Sequence, residues 1–371
     1  MILGIDTSTY LEELSLGAQY FKDGKRVDPL DVFVQNGVSY MRIRLWNDPK
    51  SPDGKPYLAG NCDYDNFIRL SRLATGKGYK ILLDLHYSDF WADPGKQFIP
   101  KAWQGLDLDG LEKAVYDYTV GVLKDARRDG VVPSLIQVGN EITNGMLWPL
   151  GRLYEAEGGG QRTNYPAFIR LLKAGLKGAR EACPEAKLIV HLEKSYDTAI
   201  YMEYFTKLKE AGADYDIIGM SYYPYWHGNF SQLFANVEAC KVFGKEIMIM
   251  ELGYAFTLEN YILTENGATD HKLVVGDANI SDFNITVDYP LTAEGQRDFV
   301  RDFLKMARER GIAGVFYWEP LWIPGEGVCW ASAEGQKYIR EEGKPTANEW
   351  ANQCLYDYEG KALPALDEFR L

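Results

Sequence analysis

Eight short apolar runs punctuate the chain, rich in leucine and β-branched residues: Ile2–Asp6, Tyr40–Leu45, Lys80–Leu85, Leu135–Val138, Lys187–His191, Ile217–Met220, Ile247–Met250 and Gly314–Tyr317. Each is four to six residues long, the length of a buried strand rather than a helix. Between most of them apolar positions recur at helical spacing, over Asp63–Thr75, Leu111–Arg128, Tyr165–Ala182, Thr198–Glu210, Phe230–Phe243 and Thr292–Arg310. Strands alternating with helices predict a parallel sheet, and eight such units predict a closed (β/α)₈ barrel. An open doubly wound sheet is the competing reading, but no G-x-G-x-x-G follows the first strand. No linker, repeat or low-complexity segment interrupts the pattern, so a single domain over residues 1–371 is expected. One connection is long, Leu252 to Leu291; its polar stretch from Asp270-His271 to Asp288 is read as a groove cover, a metal holder or a plain surface loop.

A barrel of this kind collects its chemistry where strands end at their C-termini. The residues at those ends are Trp46, His86, Asn140, Glu141, Tyr222, Tyr223, Glu251 and Trp318, all of them polar or aromatic. Glu141 closes Gln137-Val138-Gly139-Asn140-Glu141, and Glu251 ends the apolar run Ile247-Met248-Ile249-Met250. Two carboxylates at two strand ends are the parts needed to break a glycosidic bond. Facing each other, each raises the cost of ionising the other, so that one stays protonated as general acid while the other attacks as an anion. A solvated loop position is the bland reading for either glutamate alone; it explains the pair poorly.

Period-two alternation puts Arg42 and Arg44 on one face of the second strand, where a guanidinium would keep a nucleophile ionised. A buried salt bridge in the barrel floor is the alternative for one of the two. Asp84 and His86 likewise share a face of the third strand, with His86 placed to donate to a sugar hydroxyl or to hold a carboxylate. The four histidines, His86, His191, His227 and His271, form no H-x-H or H-E-x-x-H, which argues against a metal-dependent hydrolase. No G-x-S-x-G elbow supports a serine nucleophile.

Charge and composition narrow the partners. Lys+Arg 40 against Asp+Glu 53 give a net charge of −13, which disfavours nucleic acid and anionic polysaccharides and leaves neutral glycans. Nine Trp and 25 Tyr supply flat faces for sugar rings, or simply fill a core. Five cysteines without C-x-x-C spacing read as free buried thiols. No apolar run approaches the ~20 residues of a membrane span, and no membrane partner is expected. The first strand begins almost at Met1, with no signal peptide ahead of it. Compartment therefore stays open between the cytoplasm and an exported form shown without its leader. A monomer is expected.

Several stretches together resemble the endo-β-1,4-galactanases of glycoside hydrolase family 53, in the clan of retaining (β/α)₈ glycosidases. They are MRIRLWNDP from Met41, LLDLHYSDFWADPGKQ from Leu82, VGNEITNGMLWP from Val138, SYYPYWHG from Ser221, and Trp318-Glu319-Pro320 with Trp322-Ile323-Pro324. The likeness runs from Gly4 to about Pro364, and the third- and fourth-strand motifs are its most specific parts. It implies Glu141 as acid/base and Glu251 as nucleophile, with Asn140 on the sugar 2-hydroxyl. Arg42 and Tyr223 would position Glu251, while His86 and Trp318 would line the reacting subsite. Sequence does not separate Arg42 from Arg44 or Tyr222 from Tyr223. Trp91, Trp226, Trp322 and Trp330 are the candidates for stacking along the groove. The segment after Glu251, Leu252-Gly253-Tyr254-Ala255-Phe256, departs from the family pattern and bears on distal subsites. Bacterial members often carry calcium in the seventh loop, but Asp270-His271 and Asp277-Ala278-Asn279 match its pattern only loosely. Six to eight oxygen ligands cannot be assembled from them. A structural calcium is thus the less favoured reading, and the chemistry requires no cofactor. The expected function is retaining endo-hydrolysis of β-1,4-galactan, the galactan side chains of pectin included. Its rivals are a mannanase or xylanase of the same clan, or a silent glycan-binding protein.

Overall fold

A computed structural model describes residues 1–154, 163–261, 273–276, 280 and 285–370. Among these residues ten strands are present: β1 (Ile2–Asp6), β2 (Tyr20–Lys22), β3 (Lys25–Val27), β4 (Tyr40–Leu45), β5 (Lys80–Leu85), β6 (Leu135–Val138), β7 (Lys187–Leu192), β8 (Ile217–Tyr222), β9 (Glu246–Leu252) and β10 (Gly314–Trp318). All but β2 and β3 form one closed parallel barrel in sequence order, sealed where β1 pairs with both β4 and β10. The barrel reading holds, and four of its strands match the apolar runs residue for residue. β2 and β3 make a three-residue antiparallel hairpin, too short to leave a periodic signal.

The crossover helices include α3 (Tyr64–Gly76), α4 (Leu108–Arg128), α5 (Tyr165–Ala182), α6 (Thr198–Glu210), α8 (Phe230–Cys240) and α9 (Ala293–Glu309); α1 (Tyr10–Ser15), α2 (Pro29–Gln35), α7 (Pro224–His227) and α10 (Ala333–Ile339) are shorter. Their starts follow from side chains that satisfy the free amides of a first turn. Asp63 accepts from Asn66, Asp107 from Gly110 and Thr292 from Gly295. Among the described residues no helix is long and apolar enough to cross a membrane. All five cysteines are buried and free.

The barrel interior is layered. Tyr40, Leu82, Leu135, Ile189, Ile217, Met248, Met250 and Phe316 fill its lower part as an apolar cluster. Two residues further along β4 to β7, and four further along β8, the same inward face turns polar: Arg42, Asp84, Gln137, His191 and Ser221, every one of them buried. Charge is therefore displayed only near the C-terminal mouth, with a dry plug beneath it.

Candidate active site

Arg42 organises the polar layer. Its Nη1 contacts Asp6 Oδ2 at 2.9 Å, and its Nη2 lies 2.9 Å from Asp84 Oδ2 and 3.0 Å from Glu251 Oε1. Burial alone would discharge it; Asp84, Glu251 and Asp6 more than offset that and hold its pKa above the usual arginine value. Arg44 has a different job. It donates to Glu319 Oε1 at 2.6 Å and sits over the Trp91 ring, 4.5 Å from its centroid. The two arginines that sequence left unresolved are thus separated: Arg42 holds Glu251, and Arg44 braces the aromatic wall.

Glu251 reaches the mouth through an irregularity in β9. Met220 pairs with Ile249, but the next residue, Ser221, pairs with Glu251, so one extra residue is inserted at Met250. Such a bulge re-aims a side chain. With Met250 facing inward, strict alternation would have turned Glu251 toward the helices. Tyr223 donates its hydroxyl to Glu251 Oε2 at 2.9 Å. Burial raises the Glu251 pKa, and Arg42 and the Tyr223 hydroxyl work against that rise.

Glu141 leaves β6 in left-handed backbone, at φ 49°, after Gly139 at φ 83°. A Cβ on Gly139 would sit 2.9 Å from Ile142 Cγ2, so the turn needs glycine on two counts. Among the described residues no arginine or lysine forms an ion pair with Glu141. Burial first, then the facing charges of Glu251 and Glu193, hold its carboxyl well above the usual carboxylate range. Ser221 Oγ lies 2.6 Å from Glu141 Oε1 and 2.9 Å from His191 Nε2, while His191 Nδ1 lies 3.0 Å from Asn140 Oδ1. One polar atom from each of Glu141, His191 and Glu251 falls within 4.8 Å of the others. Both ring nitrogens of His191 already face protein partners, so this trio does not fit a metal-binding reading.

A cavity of about 530 Å³ opens over the pair. It is walled by Trp91, Trp226, Trp318, Trp330 and Trp350, with Tyr223, His86, Asn140, Glu193 and Arg44. Trp91 and Trp330 stack at 4.2 Å and 8°; Trp350 meets Trp318 edge-on at 4.7 Å. Trp226 is 43% exposed at the rim. Three expected site residues are corrected. Trp322 is fully buried behind the Trp91–Trp330 stack and does not reach the cavity. Tyr222 faces the helices, packed on Phe299 and Phe303, because it alternates with the inward Ser221; Tyr223 takes the site. Asp84 is likewise closed off beneath the mouth, between Arg42 and His86. His86 accepts from Trp46 Nε1 at Nδ1, which leaves its Nε2 hydrogen for Asp84 at 3.0 Å, so it holds a carboxylate rather than a sugar.

Sequence reasoning missed His191, Ser221, Glu193, Glu319 and Trp350. Ser221 opens a motif that was noticed, and its inward face follows from Gly219 two residues earlier. Trp350 arrives from a C-terminal segment with no strand to announce it. The Asp270-His271 and Asp277–Asn279 positions raised for calcium lie outside the described residues.

Two buried carboxylates at neighbouring distance, one braced by arginine and one left to protonate, beneath an aromatic cleft at the barrel mouth, are the machinery of a glycoside hydrolase. The chain belongs to glycosyl hydrolase family 53, whose model matches residues 2–369. It is 32% identical over 394 residues to the endo-β-1,4-galactanase of Bacillus subtilis (strain 168), covering 100% of this chain and 85% of that one. The arabinogalactan endo-β-1,4-galactanase of Cellvibrio japonicus (strain Ueda107) is 32% identical over 346 residues, 89% of this chain and 85% of its own. The solved catalytic domain of the Ignisphaera aggregans member superposes with a TM-score of 0.87 at 34% identity, covering 100% of this chain and 95% of that one.

Proposed function

We propose that the protein is a retaining endo-β-1,4-galactanase acting on galactan and type I arabinogalactan side chains of pectin. The observation that carries the mechanism is the spacing of Glu141 and Glu251, with an oxygen of each within 4.8 Å. Retaining enzymes hold their carboxyl groups about 5–5.5 Å apart, and inverting ones about 6.5–9.5 Å apart to admit water. The likeness to the Bacillus and Cellvibrio galactanases supports galactan as the substrate.

Glu251, oriented through both oxygens by Arg42 and Tyr223, attacks the anomeric carbon. Glu141, the more strongly neutral of the two, protonates the departing oxygen. Its resulting carboxylate then deprotonates water, which releases the sugar from Glu251 with the original configuration. Asn140 keeps one Nδ2 hydrogen on the Ala92 carbonyl at 2.9 Å and offers the second to the sugar 2-hydroxyl. Trp226 at the rim presents a face to a flanking sugar, while Trp91, covered by Trp330 and Arg44, backs the wall behind it.

Digestion of purified β-1,4-galactan beside mannan, xylan and cellulose tests the reading. A ladder of short galacto-oligosaccharides from galactan alone is expected. Cleavage of mannan or xylan instead would replace the substrate, and binding without cleavage would replace the catalytic reading.

A further inference from the structure

Four side chains, one each from β7 and β8 and two from the turn after β6, form a single file: Asn140, His191, Ser221 and Glu141. Its hydrogen-bond polarity can be worked out from the Asn140 end. Asn140 Oδ1 receives Arg42 Nη2 at 2.9 Å and Gln137 Nε2 at 3.1 Å, and Asn140 Nδ2 donates to the Ala92 carbonyl. Turning the amide over would set donors against donors, so the oxygen faces His191. A carbonyl oxygen only accepts, hence His191 Nδ1 carries the hydrogen. A neutral imidazole has just one, so Nε2 accepts the Ser221 hydroxyl hydrogen. Ser221 then presents only lone pairs to Glu141 Oε1, and the hydrogen in that 2.6 Å contact belongs to the glutamate.

We infer that His191, acting through Ser221, is a positioning residue that keeps the proton on Glu141 between turnovers. The inference rests on Glu141 being the acid/base. With Glu141 protonated, every contact in the file pairs a donor with an acceptor. With Glu141 ionised, Ser221 must turn its hydrogen to the carboxylate. Lone pairs then meet at His191 Nε2 or, after tautomer exchange, at Nδ1. A charged imidazolium would relieve this, but His191 is fully enclosed and near Arg42, and burial first, then that charge, hold its pKa well below the usual value. The other ionisable groups facing the file are Glu251 from β9, Glu193 after β7, Asp93 after β5, and His86 and His227 at longer range. Glu251, Glu193 and Asp93 also favour the protonated acid, but they do so whichever tautomer His191 adopts.

The tautomer is therefore the decisive readout. Nitrogen-15 NMR of the whole protein, with His191 assigned by comparison with His191→Phe, should show the Nδ1–H form throughout the active pH range. That signal should change again as Glu141 titrates, and the change should vanish in Ser221→Ala. In the pH profile of kcat/KM, His191→Phe frees Ser221 to donate to the carboxylate, so the alkaline limb should move down by about one pH unit, the worth of one hydrogen bond. A resting Nε2–H tautomer, or an alkaline limb that stays or moves upward, would overturn the inference. If His191→Phe does not fold, the wild-type spectrum decides alone through the count and titration of Nδ1–H histidines. The spectrum needs no substrate, so it can fail while Glu141 remains the acid; galactan cleavage surviving Glu141→Ala would instead fail the catalytic reading and leave the tautomer standing.

Discussion

The Tyr223 hydroxyl holds the one oxygen of Glu251 that Arg42 does not: Oε2 at 2.9 Å from the phenol, Oε1 at 3.0 Å from the guanidinium. Each donor favours the ionised carboxylate. Removing the phenol leaves burial with less opposition, so Tyr223→Phe should raise the Glu251 pKa. The acid limb of kcat/KM should move up by about one pH unit, with kcat reduced at its optimum. An unmoved acid limb would assign that limb to another group.

Arg42 faces Asp6, Asp84 and Glu251 while 1% exposed. Arg42→Met would leave three carboxylates facing one another without a counter-charge. Breaking a buried ion pair from one side costs about 3–5 kcal/mol, and denaturant midpoints should register a loss of that order. The loss should shrink in acid, where protonation relieves the repulsion. Arg44→Met should also cost stability, since it leaves Glu319 buried without its counter-charge and Asp6 with Arg42 alone, and should in addition damage the aromatic wall through Trp91.

Trp226 stands on α7 at the rim, edge-on to Tyr223 at 5.7 Å. Its exposure makes it dispensable for folding and available for stacking. Trp226→Ala should raise KM for galactan about 2- to 12-fold, matching ~0.5–1.5 kcal/mol for an aromatic contact. The kcat on short activated substrates should stay the same. A fall in kcat with constant KM would contradict a binding role.

Glu13 on α1 is 1% exposed, and among the described residues neither of its carboxylate oxygens has a hydrogen-bond partner. Burial first, then Glu12 and Glu319, hold its pKa well above 4.5. In the unfolded chain it releases its proton at ordinary carboxylate pH, so the folded state binds more protons above that point. Its contribution is then fully present in acid and is lost as pH rises toward the folded pKa. Glu13→Met should melt increasingly above the wild type between about pH 5 and pH 8. A constant difference across that range would show Glu13 to be ionised in the fold.

Legibility in the sequence divided along physical lines. Buried parallel strands read as continuous apolar runs, so the barrel was visible, and period two placed Arg42, Arg44, Asp84 and His86 inward. Register was not visible. The bulge at Met250 that turns Glu251 inward has no sequence signature, and the choice of Tyr223 over Tyr222 depends on where β8 stops alternating. Trp322 looked like a groove residue because tryptophan content does not say which faces are already covered. Ser221 and His191 carried no motif chemistry of their own; their part emerges only when Asn140 fixes which way the hydrogens run.

The central claim gives Glu251 and Glu141 different jobs, and azide separates those jobs most directly. Each would be replaced by alanine and supplied with azide and an aryl β-1,4-galactobioside, and the product anomer would be read by NMR. In Glu251→Ala azide replaces the nucleophile, so an α-galactobiosyl azide is predicted; in Glu141→Ala it intercepts the glycosyl-enzyme from the opposite face, giving the β-anomer. The reverse pairing of anomers, or near wild-type turnover of galactan by either variant, would contradict the account.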